Sequence, residues 1–241
     1  MKSKELIAKR RARERQSRRR TWLVIGSAVV LVLVTAVVLI SNQDAFNISR
    51  EEIVIPDLEQ PELASGAAVG DPKAPVTIID YSDFGCGHCA DFSRTTGKEL
   101  FGTYVEQGDV YFEYKSVGGL LGSTASVQAA EAAYCAADQG GFWPYHDLIF
   151  ANQAVLFADR QADLSQPLLM LAEILELDLD EFEDCFDSGK YQERVQQDED
   201  EARTAGVTGT PSFSVNGRML QGNQPLASFQ ELIEQELALL P

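Results

Sequence analysis

Val76-Thr77-Ile78-Ile79-Asp80-Tyr81, then Ser82-Asp83-Phe84-Gly85, then Cys86-Gly87-His88-Cys89: this stretch decides the fold. The apolar, β-branched run at 76–81 suits a short central strand. Helical spacing begins after the second cysteine, which places Cys86 and Cys89 at the first turn of a helix leaving that strand. Residues three apart on a helix share a face, so the two sulfurs can form a disulfide and pass it on.

The reactive form of cysteine is the thiolate, and an ordinary thiol with a pKa of about 8.5 is mostly protonated at neutral pH. Unpaired backbone N–H groups and the helix dipole stabilise a negative sulfur at a helix N-terminus. Cys86 is therefore read as the exposed attacking thiol and Cys89, one turn further in, as the shielded partner that resolves a mixed disulfide. His88 between them can add positive charge or donate a hydrogen bond to Cys86. Asp80 ends a buried strand, where a carboxyl group has a raised pKa, and it can take the proton of Cys89; the alternative is a solvated strand-end carboxylate.

Other uses of the motif fit poorly. Structural zinc needs four ligands, and the chain has no second Cys-x-x-Cys and only one other histidine, His146. Haem attachment needs histidine after the second cysteine, and residue 90 is alanine. A purely structural disulfide across so short a loop would stabilise little. No metal and no cofactor is expected.

Downstream, 110–115 reads as a second strand, with the intervening helix at 86–107 interrupted near Gly97. Helical patterns follow at 123–139, 142–152, 166–175, 179–186 and 191–205. Ser212-Phe213-Ser214-Val215, Asn216-Gly217 and Arg218-Met219-Leu220-Gln221 form a hairpin signal, and a helix at 226–240 closes the chain. Thr208-Gly209-Thr210-Pro211 precedes the hairpin, and proline is permitted as the first residue of a strand. A cis bond there would expose the Thr210 backbone to a peptide; the single sequence leaves trans open. His146, beside Trp143 and Tyr145, reads as a hydrogen-bonded packing residue, and the acidic runs at 178–187 and 198–201 as solvated helix faces.

Upstream, residues 41–66 contain Pro56 and Pro61 without sustained periodicity and read as a linker, with a short strand at 53–55. The globular domain is expected over 67–241. Residues 1–20 hold ten Lys/Arg and two Glu, so the net charge of −17 hides a basic tail on an acidic body. That body would repel phosphates, which argues against nucleic-acid binding. Residues 21–40 carry no charge, and twenty residues at about 1.5 Å each match a hydrocarbon core of about 30 Å. They read as an uncleaved transmembrane anchor, being longer than a signal-peptide core and lacking a convincing cleavage site. The basic tail at 1–20 then lies in the cytoplasm and the rest outside. All four cysteines fall on the exported side, where disulfides persist. If Cys86 pairs with Cys89, Cys135 and Cys185 remain as a structural pair, the alternative being two buried thiols.

The chain resembles the DsbA-like thioredoxin family, in a membrane-anchored form. The resemblance rests on Asp80-Tyr-Ser-Asp-Phe-Gly-Cys-Gly-His-Cys89, Tyr134-Cys-Ala, Gly141-Phe-Trp-Pro-Tyr-His-Asp147, Ser188-Gly-Lys-Tyr191 and Gly206-Val-Thr-Gly-Thr-Pro-Ser-Phe213. It implies an α/β thioredoxin fold with a helical insertion at about 122–186. It also implies a cis Pro211 beside the cysteine pair and a proton-accepting role for Asp80. Many members have proline after the first cysteine; here it is Gly87, and Gly-His is the dipeptide of protein disulfide isomerases.

The expected function is thiol–disulfide exchange on the outer face of a bacterial cytoplasmic membrane, with the Cys86–Cys89 disulfide donated to exported proteins. A membrane thiol reoxidant, DsbB-like or VKOR-like, is the expected partner. The alternatives are an isomerase or reductase on the same fold and, in another class, an anchored non-catalytic client-binding protein.

Overall fold

Val76–Ser82 forms strand β3 at the centre of a six-stranded mixed sheet. The computed structural model describes residues 48–239. The basic tail at 1–20 and the anchor expected at 21–40 lie outside the described residues. Among those described, no helix is long and apolar enough to cross a membrane.

The sheet order is β1-β2-β4-β3-β5-β6, with β1 at Ala64–Ser65, β2 at Ala68–Val69, β4 at Val110–Ser116, β5 at Ser212–Val215 and β6 at Arg218–Gln221. β3 and β4 run parallel, joined by a helical crossover, and every other pair is antiparallel. Alternation along β3 sends Ile78 and Asp80 to one face. Ile79 and Tyr81 go to the other, where they pack with Val117 and Ala202. Asn216 and Gly217, at φ 46° and 86°, make the tight turn between β5 and β6.

The crossover is a continuous helical stretch, not an interrupted helix. It runs through α1 at Gly87–Phe92, a π turn at Ser93–Gly97, an α turn at Lys98–Leu100 and a second π turn at Phe101–Val105. The interruption expected at Gly97 is thus a widening of the helix that keeps the chain helical. Phe92 packs against Phe213 of β5, with ring centroids 4.4 Å apart, and against Phe229 at 5.6 Å. Burying each such ring contributes roughly 1.5–3 kcal/mol. Phe229 belongs to the closing helix, Leu226–Leu237.

The helical insertion comprises α2 at Thr124–Asp138, α3 at Phe142–Ala151, α4 at Gln153–Leu156, α5 at Ser165–Ile174 and α6 at Leu179–Asp187. Cys135 of α2 and Cys185 of α6 are joined by a disulfide spanning 50 residues. Helix α7, Gln192–Thr204, returns the chain to the sheet, and Leu226–Leu237 is α8. His146 is buried and hydrogen-bonded to Asp147 at 2.9 Å.

Two expectations need correction. The acidic run at 198–201 is a solvated face only in part: Asp200 and Glu201 are exposed, but Asp198 and Glu199 are buried. The carboxylate of Asp198 accepts hydrogen bonds from Tyr134 and from Arg194, the latter at 2.9 Å, while Glu201 pairs with the buried Lys115 at 2.5 Å. Sequence spacing marked these residues as charged and gave no sign of their partners. The segment expected as a linker is docked against the domain over its described part. Residues 53–55 are not a strand; a 3-10 turn at Arg50–Glu52 precedes them. The Val54 backbone N–H and C=O are both held by the Asn152 side chain, each at 2.8 Å. β1 also lies inside the expected linker, and Gly66 at φ 57° allows the turn into β2.

Candidate active site

The site is built where the C-terminal end of β3 meets the first turn of α1. Asp83 shapes the connection: its Oδ1 accepts from the Gly85 N–H at 2.8 Å and its carbonyl from the Cys86 N–H at 2.9 Å. Phe84 is fully buried and packs on Tyr114 and Phe150 at centroid distances of 5.2 Å each. The loop so fixed delivers Cys86 to the N-cap of α1 with an extended backbone, φ −93° and ψ 118°.

Cys86 and Cys89 are both free thiols, Cys86 half-buried and Cys89 only 1% exposed. The Cys86 thiol is drawn down to about 5. The main cause is hydrogen bonding from the Cys89 thiol; partial burial opposes it, while the Thr210 side chain and the backbone amides of Cys89 and His88 add to it. Burial drives the Cys89 thiol well above the usual range, and the neighbouring Cys86 and the charge of Asp80 push the same way. One pair therefore holds one sulfur that readily ionises and one that resists ionisation.

Asp80 is 4% exposed and its Oδ1 has no hydrogen-bond partner among the described residues. Burial raises its pKa well above the carboxylate range, and Cys86 adds to the rise. The solvated alternative is thereby removed. A cavity of about 790 Å³ reaches Asp80, with Phe92, Trp143, His146 and Lys98 also on its wall.

Thr210-Pro211 is a cis peptide. The Cys86 Sγ–H donates to the Thr210 carbonyl at 3.4 Å, so the two distant motifs meet. The structure thus brings Cys86, Cys89, Asp80, Thr210 and Pro211 together. His88 sits beside them but differently from expectation. Its ring is exposed and makes no hydrogen bond among the described residues, and it is the backbone amide that faces Cys86. Sequence reasoning missed Gln153, whose Nε2 donates to the Phe84 carbonyl at 2.5 Å and the Cys86 carbonyl at 2.9 Å. No local pattern could have found it, because its partners lie 69 and 67 positions away.

A family model described as Thioredoxin matches residues 63–235. A Bacillus anthracis relative named "Probable disulfide bond formation protein D" is 28% identical over 176 residues, covering 70% of this chain and 77% of that protein. A Salinispora tropica relative named "Na(+)/H(+) antiporter NhaA 3" is 39% identical over 153 residues, covering 64% of this chain. The match spans only 22% of that protein's length, so the antiporter name describes a much larger chain. The crystal structure of Wolbachia pipientis alpha-DsbA1 superposes with a TM-score of 0.63 at 22% identity, covering 74% of this chain and 94% of that one, and shows a shared fold. The chain belongs to the thioredoxin family and carries the DsbA-like form of its fold.

Proposed function

We propose that this protein is a thiol–disulfide oxidoreductase that acts as an oxidase, donating the Cys86–Cys89 disulfide to exported proteins. One observation carries the reading: a Cys86 thiol drawn down to about 5 at an accessible helix N-terminus. A stabilised thiolate stabilises the dithiol, which makes the disulfide a stronger oxidant.

In the proposed reaction a substrate thiolate attacks Cys86 Sγ. The Cys86–Cys89 bond breaks, and the Cys89 sulfur leaves with the electron pair and takes a proton. Asp80, whose carboxyl is pushed by burial well above the usual carboxylate range and so holds its proton more firmly, is the donor, and the cavity beside it gives water access to restore that proton. A second substrate thiolate then attacks the substrate sulfur of the mixed disulfide. Cys86 leaves as a stable thiolate, and two electrons have passed from substrate to protein. Thr210 and cis-Pro211 border Cys86 where an extended peptide would lie. A membrane thiol reoxidant would return the pair to the disulfide.

The Cys135–Cys185 disulfide supports action in an oxidising compartment. With residues 21–40 as anchor, the catalytic domain would stand on the extracytoplasmic face of a bacterial membrane. Gly87-His88 favours a second reading, an isomerase. The test is a redox titration against glutathione. A potential near the value of about −120 mV typical of a strong oxidant is expected, and one near or below about −270 mV refutes the oxidase direction. Refolding of scrambled ribonuclease separates the isomerase. Full function retained by Cys86→Ser in cells would instead favour a non-catalytic client-binding protein.

A further inference from the structure

We propose that Gln153 is a positioning residue for the Cys86 thiolate and that the chain segment preceding the domain is part of the same device, through Asn152 and Val54. The proposal rests on Cys86 being the attacking thiol.

The geometry begins at the Cys86 carbonyl. It opens helix α1, accepting from the N–H groups of Cys89 at 3.1 Å and Ala90 at 3.2 Å. The amides of His88 and Cys89 are also those that stabilise the Cys86 thiolate. How the carbonyl is held therefore sets how the amides are aimed. Gly87, the next residue, has no side chain with which to hold it, and a Cβ there would meet no atom within 4 Å. The constraint comes from outside the helix. The Gln153 Nε2 has two hydrogens, and it donates to the Phe84 and Cys86 carbonyls on either side of Gly85. Asp83 fixes the N–H side of the same loop, and Gln153 fixes the C=O side.

Gln153 is itself fixed by its neighbour. Asn152 is buried at the junction of α3 and α4. Its Oδ1 accepts from the Val54 N–H, and its Nδ2 donates to the carbonyls of Val54 and Leu148, all at 2.8 Å. One side chain thus satisfies both backbone groups of Val54 and ties them to the end of α3. Val54 itself is 59% exposed, so its side chain does little to hold the segment. Adjacent residues hold the preceding segment on one side and the Cys86 loop on the other, and a pull on that segment is transmitted to the redox pair.

The experiment measures the ultraviolet thiolate absorbance of the reduced full-length protein against pH, with the melting temperature as control. Gln153→Met keeps the side-chain length and removes both donors. The expected result is a higher Cys86 midpoint, a loss of about threefold to tenfold in thiolate stabilisation, the size of one hydrogen bond. An unmoved midpoint overturns the proposal, whatever the melting temperature does. Val54→Pro removes the amide donor of an exposed residue and fixes its φ, after an Ile53 backbone already extended at φ −78° and ψ 122°, so it tests the second half even if Asn152→Ala fails to fold. Its expected effect has the same sign and is smaller, and an unmoved midpoint removes the preceding segment from the device. In a Gly87→Pro background, with the loop held from within, Gln153→Met should shift the midpoint less; an equal shift overturns the positioning role. The midpoint belongs to Cys86 whether or not the protein is an oxidase, whereas the oxidase reading fails on the potential.

Discussion

The chain carries two cysteine pairs that share a side chain and little else. Cys135 and Cys185 lie 50 residues apart on two packed helices, both buried and joined to each other. Cys86 and Cys89 lie three apart at the start of one helix, one sulfur within reach of solvent and the other sealed beneath it. A long loop makes a disulfide strong in restraining the unfolded chain, and a short one makes it weak. A helix N-terminus makes a sulfur reactive. Their surroundings suit one pair to stability and the other to the exchange proposed for it.

The sharpest way to break that comparison is to exchange the losses. The double variant Cys135→Ala/Cys185→Ala should lose about 4 kcal/mol of stability by loop closure. In a domain of this size that lowers the melting temperature by roughly 10 °C. Its Cys86 midpoint should stay near 5, as in the parent. Cys86→Ser should do the reverse, abolishing exchange while leaving the melting temperature close to that of the parent dithiol when both are melted near pH 5, where the Cys86 thiolate adds little to stability. A Cys86 midpoint that moves with loss of the distant disulfide would show that the two pairs are coupled and the assignment wrong.

Two aspartates repeat the lesson. Asp80 and Asp198 are 4% and 2% exposed. Both oxygens of Asp198 accept hydrogen bonds, from Tyr134 and Arg194, and these offset part of the burial that raises its pKa. Asp80 Oδ1 accepts none, and burial acts on it unopposed. A buried carboxylate with its hydrogen bonds satisfied suits holding a helix to a sheet; a buried carboxyl without them, its pKa raised, suits the proton transfer proposed for Asp80. Asp80→Asn should slow exchange at neutral pH by about a hundredfold, the scale of one general acid. It should also cost no stability there. A carboxyl whose folded pKa is raised supports folding below the unfolded value of 3.8 and loses that support as pH rises toward the folded pKa. The variant should therefore gain on the parent as pH rises from about 4, in paired thermal melts. A variant that exchanges at the parent rate would take Asp80 out of the reaction.

Cys86 supplies a linkage of opposite sign. Its folded pKa is lowered from 9.0 to about 5. In the dithiol form the unfolded chain holds a proton between those values that the folded chain has released. Dithiol stability should therefore rise with pH across that window and be lost as pH falls through 5. Cys89, shifted upward, adds no slope below its ordinary value, and the disulfide form has neither thiol. The stability lead of dithiol over disulfide should widen from pH 5 to pH 8, measured by denaturant unfolding of both forms. A constant lead would contradict the low Cys86 pKa.

Much of this was readable because the signals are local. Strand β3, the cysteines three apart, Asn216-Gly217 and the proline at a strand start each announce themselves within a few residues. The meeting of Cys86 with Thr210 came from resemblance, since their separation of 124 positions has no local mark. His88 shows the limit within the motif itself. Its imidazole suggested a charge for Cys86, yet a side chain at the second position of the helix points to solvent while its amide points at the sulfur. Gln153 and Asn152 were illegible for a different reason. A neutral amide has no charge or period, and both matter only through backbone groups far off in the chain. The two π turns escaped because helical periodicity cannot register one extra residue in a turn.

Gly87 gives the smallest predicted effect and the finest test of the redox pair. It occupies the first position of α1, where proline is favoured because its N–H has no partner within the helix. The Gly87 amide makes no hydrogen bond among the described residues, and a Cβ there meets nothing within 4 Å. Proline also restricts the residue before it to extended backbone, and Cys86 at φ −93° and ψ 118° is already near that region. Gly87→Pro should thus fit without strain and stabilise by about 0.4–1 kcal/mol through the unfolded chain. Exchange should change by only a few fold, because the amides that stabilise the thiolate belong to residues 88 and 89. A large fall in rate would mean that the loop must flex during exchange, and that Gly87 is there to let it.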